Sequence, residues 1–275
     1  MEITLSASDG QPVGATVHGD GERAVLVMPA TGVPQSYYAK FAGYLAGRGF
    51  SVLTFDYRGV GRSRSGDIRG SSARMRDWAL LDAAAAFAFF GAGKVNVVGH
   101  SFGGQALGLL PQPERIACAL LVGSQSGYWR HWPLLGKVWM WPATHLGLPA
   151  LAKLLGYFPG SRLGFGEDLP RGVALEWASW CRHPRYLVGA LGVEDAYARM
   201  RATVRAYAIS DDPFAPARAV EALAQLYPHA RWETRKLAPR ELGVKSVGHF
   251  GFFRERFRDS LWREAADWLE TVCES

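Results

Sequence analysis

The amino-acid sequence predicts an α/β protein, a parallel sheet covered by helices on both faces. Three features point there. Short continuous apolar runs alternate with stretches of helical spacing over residues 24–122 and again over residues 203–272. One of those runs, residues 95–98, passes straight into Gly99-His100-Ser101-Phe102-Gly103, a strand-to-helix turn that only minimal neighbouring side chains permit. The segment between, residues 124–198, holds six of the ten tryptophans together with many prolines and glycines, and it lacks β-runs. It reads as a helical cap over the carboxyl edge of the sheet. The expected organisation is therefore a core of residues 1–123 and 199–275, with the cap of residues 124–198 inserted between its halves.

The elements follow in order. Residues 2–18 alternate apolar and polar positions on either side of Asp9-Gly10, as a two-stranded hairpin does. Residues 24–28 make a buried strand that ends in Pro29-Ala30-Thr31-Gly32. Residues 36–49 show helical spacing through Tyr38, Phe41 and Leu45, with Gly49 as the stop. A second buried strand, 51–55, closes with Asp56-Tyr57-Arg58-Gly59, and Ser72 opens a helix with Met75, Trp78, Leu81 and Ala85 on one face. After the strand at 95–98, the small-residue and leucine run 105–110 suits a helix, and 116–122 is the next strand. Within the cap, 148–155 is helical. The α/β pattern resumes with a strand at 203–209, a loop at 210–216, a helix at 217–227 and a strand at 231–237. A loop around Gly248-His249-Phe250-Gly251 then leads into an amphipathic closing helix at 254–272.

Composition narrows the class. An apolar fraction of 48% and a charged fraction of 20% belong to an ordinary globular chain able to bury a sizeable core. The formal charge of +6 comes from 25 arginines and six lysines against 25 acidic residues. The arginines are spread through every segment instead of forming a stripe, which argues against a nucleic-acid partner. No uncharged apolar run reaches the roughly 18 residues of a membrane helix, and residues 1–10 lack a basic patch followed by an apolar core. Cys118, Cys181 and Cys273 are odd in number and far apart, so neither a disulfide framework nor a metal site is expected. The expectations are a cytoplasmic location, no integral membrane segment and no cofactor.

Chemistry gathers at Ser101. The tight turn lifts its hydroxyl above the sheet and aims the first amides of the following helix at whatever that hydroxyl attacks. A serine needs a base to take its proton, and the base needs a partner to fix its tautomer and steady its cation. On a doubly wound sheet these groups sit on loops at the carboxyl ends of the strands, in the chain order serine, acid, histidine. Two histidines follow an acid loop. His229 lies at the polar end of a helix, where a solvated ring is the simpler reading, so His249 is the candidate base. Asp211 and Asp212 both follow the strand 203–209. Asp212 precedes Pro213-Phe214-Ala215-Pro216, a rigid turn that would fix its carboxylate towards the site and leave Asp211 facing solvent. Asp212 is the candidate acid. An oxyanion also needs two preorganised donors, the amide of Phe102 and one from the loop after residues 24–28, with Thr31 as its source.

Taken together, the pentapeptide at 99–103, Asp56-Tyr57-Arg58-Gly59-Val60-Gly61-Arg62-Ser63, Asp212-Pro213-Phe214-Ala215-Pro216 and Gly248-His249-Phe250 resemble the α/β-hydrolase superfamily. The likeness covers essentially the whole chain and is greatest to the bacterial serine-hydrolase branch near monoglyceride-lipase and serine-aminopeptidase-like members. It implies the α/β-hydrolase fold, with an eight-stranded, mostly parallel sheet whose first pairing is antiparallel, helices on both faces and a helical cap after strand 6. One departure matters. Many relatives carry His-Gly after the third strand where this chain has Pro29-Ala30. Position still puts Thr31 at the oxyanion amide, and its hydroxyl offers a third donor. Serine at the elbow also separates this chain from dehalogenase-like and epoxide-hydrolase-like members, which attack with aspartate.

Other residues invite assignment. Asp56, near Arg58 and Arg62, suggests a loop-bracing ion pair, and His100 suggests packing beside the nucleophile. Ser124, Gln125 and Ser126 follow the sixth strand, where they can meet substrate from the cap hinge; Ser126, Trp129 and Trp132 are the candidate substrate contacts. Arginines 58, 62, 64, 69, 74 and 76 have only Asp67 opposing them locally, and a solvated loop is the simpler reading than an anionic headgroup site. The expected function is cleavage of carboxylic esters, with amides and thioesters left open, on a small-molecule acyl substrate through an acyl-Ser101 intermediate. The alternatives are an acyltransferase, with an alcohol or thiol in place of water, and a non-catalytic ligand-binding member of the fold. A complete Ser-His-Asp set counts against the last.

Overall fold

The computed structural model describes residues 1–272, so Cys273 lies outside the described residues. Ten strands occur: β1 (Glu2–Ser6), β2 (Pro12–His18), β3 (Arg23–Met28), β4 (Phe50–Phe55), β5 (Val95–His100), β6 (Ile116–Val122), β7 (Tyr157–Phe158), β8 (Leu169–Pro170), β9 (Thr203–Ile209) and β10 (Arg231–Leu237). Eight form one sheet in the order β1-β2-β4-β3-β5-β6-β9-β10, and β7 pairs with β8 in a separate hairpin. The β1–β2 and β2–β4 pairings are antiparallel, and every other pairing in the large sheet is parallel.

Burial on both faces explains the unbroken apolar runs. Along β3, Leu26 and Met28 enter one core layer while Val25 and Val27 enter the other; along β6, Ala119 and Leu121 oppose Cys118, Leu120 and Val122. A strand covered on both faces has no polar side to show. Trp78, Phe87 and Tyr186 fill the first layer, and Phe41, Phe252, Trp262 and Leu269 the second.

Local geometry departs from expectation in three places. The helix after Ser101 is only four residues long, Phe102–Gln105, and is followed by a 3₁₀ turn at Leu107–Leu109. Pro111 stops further winding. The Gln105 carbonyl, which a longer helix would have used, accepts from the hydroxyls of Tyr197 and Tyr227 instead. The closing helix starts later than residue 254, as a π-helical turn at Arg258–Trp262 that continues into Arg263–Val272. The segment between β6 and β9, expected to lack strands, contains the two-residue strands β7 and β8 beside its helices. Those helices include Leu134–Pro142, Leu148–Leu155 and Arg171–Arg182.

The segment is tied to the sheet loops at several points. The indole nitrogen of Trp132 donates to the Pro213 carbonyl at 2.9 Å, and the Glu167 amide donates to the Gly32 carbonyl at 2.7 Å. The Glu167 carboxylate accepts from the Gly61 amide, and Glu176 accepts from the amide and guanidinium of Arg76.

Candidate active site

β5 ends at His100, and Ser101 turns sharply with φ 50° and ψ −114°, a conformation that L-residues rarely adopt. Its amide is anchored to the Val122 carbonyl at the end of β6. The turn leaves no room beside it. A Cβ on Gly103 would lie 2.0 Å from the Met28 carbonyl oxygen, so no other residue fits there without moving β3.

The loop after β9 supplies Asp212. One of its carboxylate oxygens accepts from the amides of Phe214 and Ala215, at 2.8 and 3.1 Å, and the other lies 2.7 Å from Nδ1 of His249. A carboxylate held this way fixes both the rotation of the imidazole and the tautomer with the proton on Nδ1. His249 sits in the short helix Gly248–Gly251, and both partners are buried. Gly123 lies against the pair. It has φ +58°, and a Cβ there would come within 2.9 Å of Nδ1 of His249 and 3.2 Å of Asp212 Oδ2.

Asp211 is half-buried and, beyond meeting solvent as the sequence suggested, is hydrogen-bonded to the loop before His249. Its carboxylate accepts from the Ser246 hydroxyl at 2.8 Å and from the amides of Val247 and Gly248, both at 3.0 Å. Partial burial works to raise its pKa, but these hydrogen bonds outweigh burial and hold it below the ordinary carboxylate value. The two adjacent carboxylates thus divide one task, Asp212 holding the ring of His249 and Asp211 the backbone that leads into it.

His100 does more than pack. Its Nε2 lies 3.0 Å from the His249 carbonyl, which can only accept, so the proton is on Nε2. Its Nδ1 must then accept from the Tyr38 hydroxyl at 2.7 Å, and that hydroxyl in turn accepts from the Ala30 amide at 2.9 Å. Complete burial, and after it the charge of His249, hold the His100 pKa well below the usual histidine range. One neutral ring links the loop after β3, the turn at Ser101 and the backbone of His249.

Ser101 and His249 line one cavity of about 250 Å³ with Ala30 and Thr31. Across from them the lining comes from residues 132–181 and is almost wholly apolar, including Trp132, Met140, Leu148, Leu151 and Trp177. Phe214 bridges the two sides, its ring 5.4 Å from that of His249. A polar, hydrogen-bonded floor under an apolar vault suits a substrate with one reactive polar group and a hydrocarbon body.

A family model described as alpha/beta hydrolase family matches residues 17–259. The chain belongs to the α/β hydrolase family. It is an enzyme of that type. Solved structures agree on the fold. A monoacylglycerol lipase of Paleococcus ferrophilus superposes with a TM-score of 0.63 at 16% identity, over 94% of this chain and 99% of its own. An esterase of Pyrococcus furiosus gives 0.63 at 15%, over 98% and 90%. A bromoperoxidase of Bacillus anthracis gives 0.63 at 14%, over 100% of both.

In this α/β hydrolase, six of the residues singled out from sequence meet at the cavity or next to it: Ser101, Thr31, Gln125, Trp132 and His249 line it, and Asp212 holds His249. Phe102 directly follows Ser101 and is fully buried. Ser126 and Trp129 do not line the cavity. The Ser126 amide donates to the Ala219 carbonyl, and Trp129 packs behind Trp132, Met140 and Ala219. Of the three hinge residues Gln125 lines it, with its amide oxygen bound to Gln105. Sequence reasoning missed Phe214, Leu151 and Trp177, whose only signal was helical or turn spacing shared with ordinary core residues. Asp56 is not the partner of Arg58. Its carboxylate accepts from the Gln35 amide, the Gln35 side chain and the Arg62 amide, whereas Arg58 pairs with Asp82 and Asp9. Arg62, Arg69 and Arg76 also meet carboxylates, so most of the arginine cluster is paired. No helix among the described residues is long and apolar enough to cross a membrane.

Proposed function

We propose that this α/β hydrolase is a serine esterase for carboxylic esters with an apolar acyl chain, and that residues 124–198 form the cap which receives that chain. The observation that carries the reading is the strained Ser101 sharing an apolar cavity with a histidine whose Nδ1 is fixed by Asp212. In the first half-reaction Nε2 of His249 takes the Ser101 proton as Oγ bonds to the ester carbonyl carbon. The carbonyl π electrons move to oxygen, and the amides of Phe102 and Thr31 stabilise the oxyanion. Collapse breaks the bond to the alcohol, which leaves with the proton from His249, and the acyl group remains on Ser101. Water then attacks the acyl carbon, gives its proton to His249, and the carboxylic acid departs as Ser101 recovers its proton.

Asp212 stays ionised throughout and stabilises the imidazolium. Two structural neighbours, a monoacylglycerol lipase and an esterase, accord with a lipid-like ester. Labelling with a fluorophosphonate tests the reading. Ser101 is the serine expected to react, and Ser101→Ala loses both the label and about 10⁶ in kcat on p-nitrophenyl esters. A Ser101→Ala variant that still labels and turns over would sink it. Product analysis with an added alcohol separates hydrolysis from acyl transfer, since a transferase gives the new ester in place of free acid.

A further inference from the structure

We propose that the helix Leu134–Pro142 docks this protein on an anionic lipid surface, with the cavity mouth towards the lipid. The inward side of that helix is made by Gly136 and Met140, both buried. Its outer side presents Leu134, Leu135 and Val138 at 78%, 85% and 70% exposure, with Trp139 and Trp141 also exposed beside them. Spacings of three and four residues place these five side chains next to one another on the helix surface. Single exposed apolar residues are ordinary. A contiguous group this size marks a contact surface.

Two observations select the occupant. The first is continuity with the cavity. Trp139 lines the cavity and packs edge-on against Phe214, with ring centroids 6.1 Å apart, and Phe214 reaches His249. Leu163 and Phe165 also line the cavity while remaining 49% and 37% exposed. An apolar molecule leaving a membrane here would meet apolar surface from the bilayer to the imidazole. The second is charge. No acidic residue occurs between Glu114 and Glu167, while Arg130, Lys137, Lys153 and Arg162 fall in that stretch. Leucines, tryptophans and Lys137 on a short amphipathic helix match the composition of an interfacial anchor, and basic groups near the surface favour anionic lipid. A second copy of the chain fits less well, because a two-fold contact through this helix would set the same positive groups against each other.

Docking does not depend on turnover, so its test is separate from that of the esterase reading. The purified full chain is floated with vesicles of phosphatidylcholine alone and of phosphatidylcholine with phosphatidylglycerol in equal parts. Wild type and Ser101→Ala are expected to float alike with the mixed vesicles and to bind phosphatidylcholine more weakly. Leu135→Glu/Val138→Glu is expected to lower the partition coefficient about a hundredfold, as loss of two buried aliphatic side chains implies. Neither residue lines the cavity, so its turnover of a soluble short-chain ester stays unchanged. Lys137→Glu keeps every apolar residue in place and should weaken binding to the mixed vesicles alone. Wild type that floats with neither vesicle overturns the proposal. Equal binding to both vesicles overturns the electrostatic part of it. A wild-type dimer in sedimentation that the double variant dissociates would assign the face to a second copy instead.

Discussion

At the carboxyl edge of the sheet, Asp212, His249 and the turn at Ser101 are held by hydrogen bonds to neighbouring loops. Across the cavity, Trp132, Met140, Leu151 and Trp177 present apolar surface to it. Hydrogen bonds are directional and fix atoms to fractions of an ångström, whereas apolar packing is non-directional and fixes volume. On the proposed esterase reading, reaction chemistry belongs to the edge, and the size and character of the acyl group belong to the helical segment.

Substitutions on the two sides should fail differently. Asp212→Asn should lower kcat by about 10⁴, the loss seen when the orienting carboxylate of a triad is neutralised. The dependence on acyl length should survive in the residual activity; a changed profile would mean that the edge also shapes the acyl site. Gly123→Ala adds a methyl beside the His249–Asp212 pair. Misplacement of a reacting group by about 1 Å costs on the order of 10² in rate. The expected result is that loss in kcat with little change in KM, measured on one p-nitrophenyl ester, and wild-type kcat would show that the pair has slack.

The segment should act through substrate length. Each buried CH₂ is worth about 0.8 kcal/mol, roughly fourfold in kcat/KM per carbon. A p-nitrophenyl ester series from acetate upwards should rise over several carbons and then level. Trp177→Ala or Leu151→Ala should flatten the rise more than Trp262 replaced in the distant core. A profile that falls steadily from acetate would make the aromatics structural and remove the acyl pocket.

The smallest effect expected is at Asp211. Its folded pKa is depressed, so its contribution to stability is present above the unfolded carboxylate pKa and is lost as pH falls through the folded value. Asp211→Asn offers one acceptor where three donors converge. Its melting temperature should lie below wild type at neutral pH, and the gap should close as the pH drops below about 4. A gap independent of pH would mean that shape, not charge, holds the loop before His249.

The edge was readable from sequence because its requirements are local. The turn at Ser101 needs glycine at 103, and Asp212 is set by the proline-bounded turn after it, so residue type and spacing pointed to the residues that the fold brings together. The hydrogen bonds of Asp211 and His100 were not legible because their partners, Ser246 to Gly248 and Tyr38, are distant in sequence and no pattern joins them. Asp56 was misread for the same reason, its donors coming from Gln35 as well as Arg62. The eight-stranded, mostly parallel sheet followed from alternation and family likeness. The segment between β6 and β9 was legible as helical and aromatic-rich, down to the helix at Leu148–Leu155, but not in its lining, since Trp132 and Trp129 look alike in sequence and only folding puts one in the cavity and the other behind it.

The backbone at Ser101 sets heat tolerance against activity at a single position. A non-glycine residue at φ 50° and ψ −114° holds about 1–3 kcal/mol of strain that the surrounding fold must absorb. Glycine adopts that conformation freely, and the relief of strain works against glycine's larger loss of conformational freedom. On the proposed reading Ser101 is the residue that reacts, so any strain relieved there by glycine would be gained at the expense of activity, and stabilised descendants of this chain would need their gains placed elsewhere.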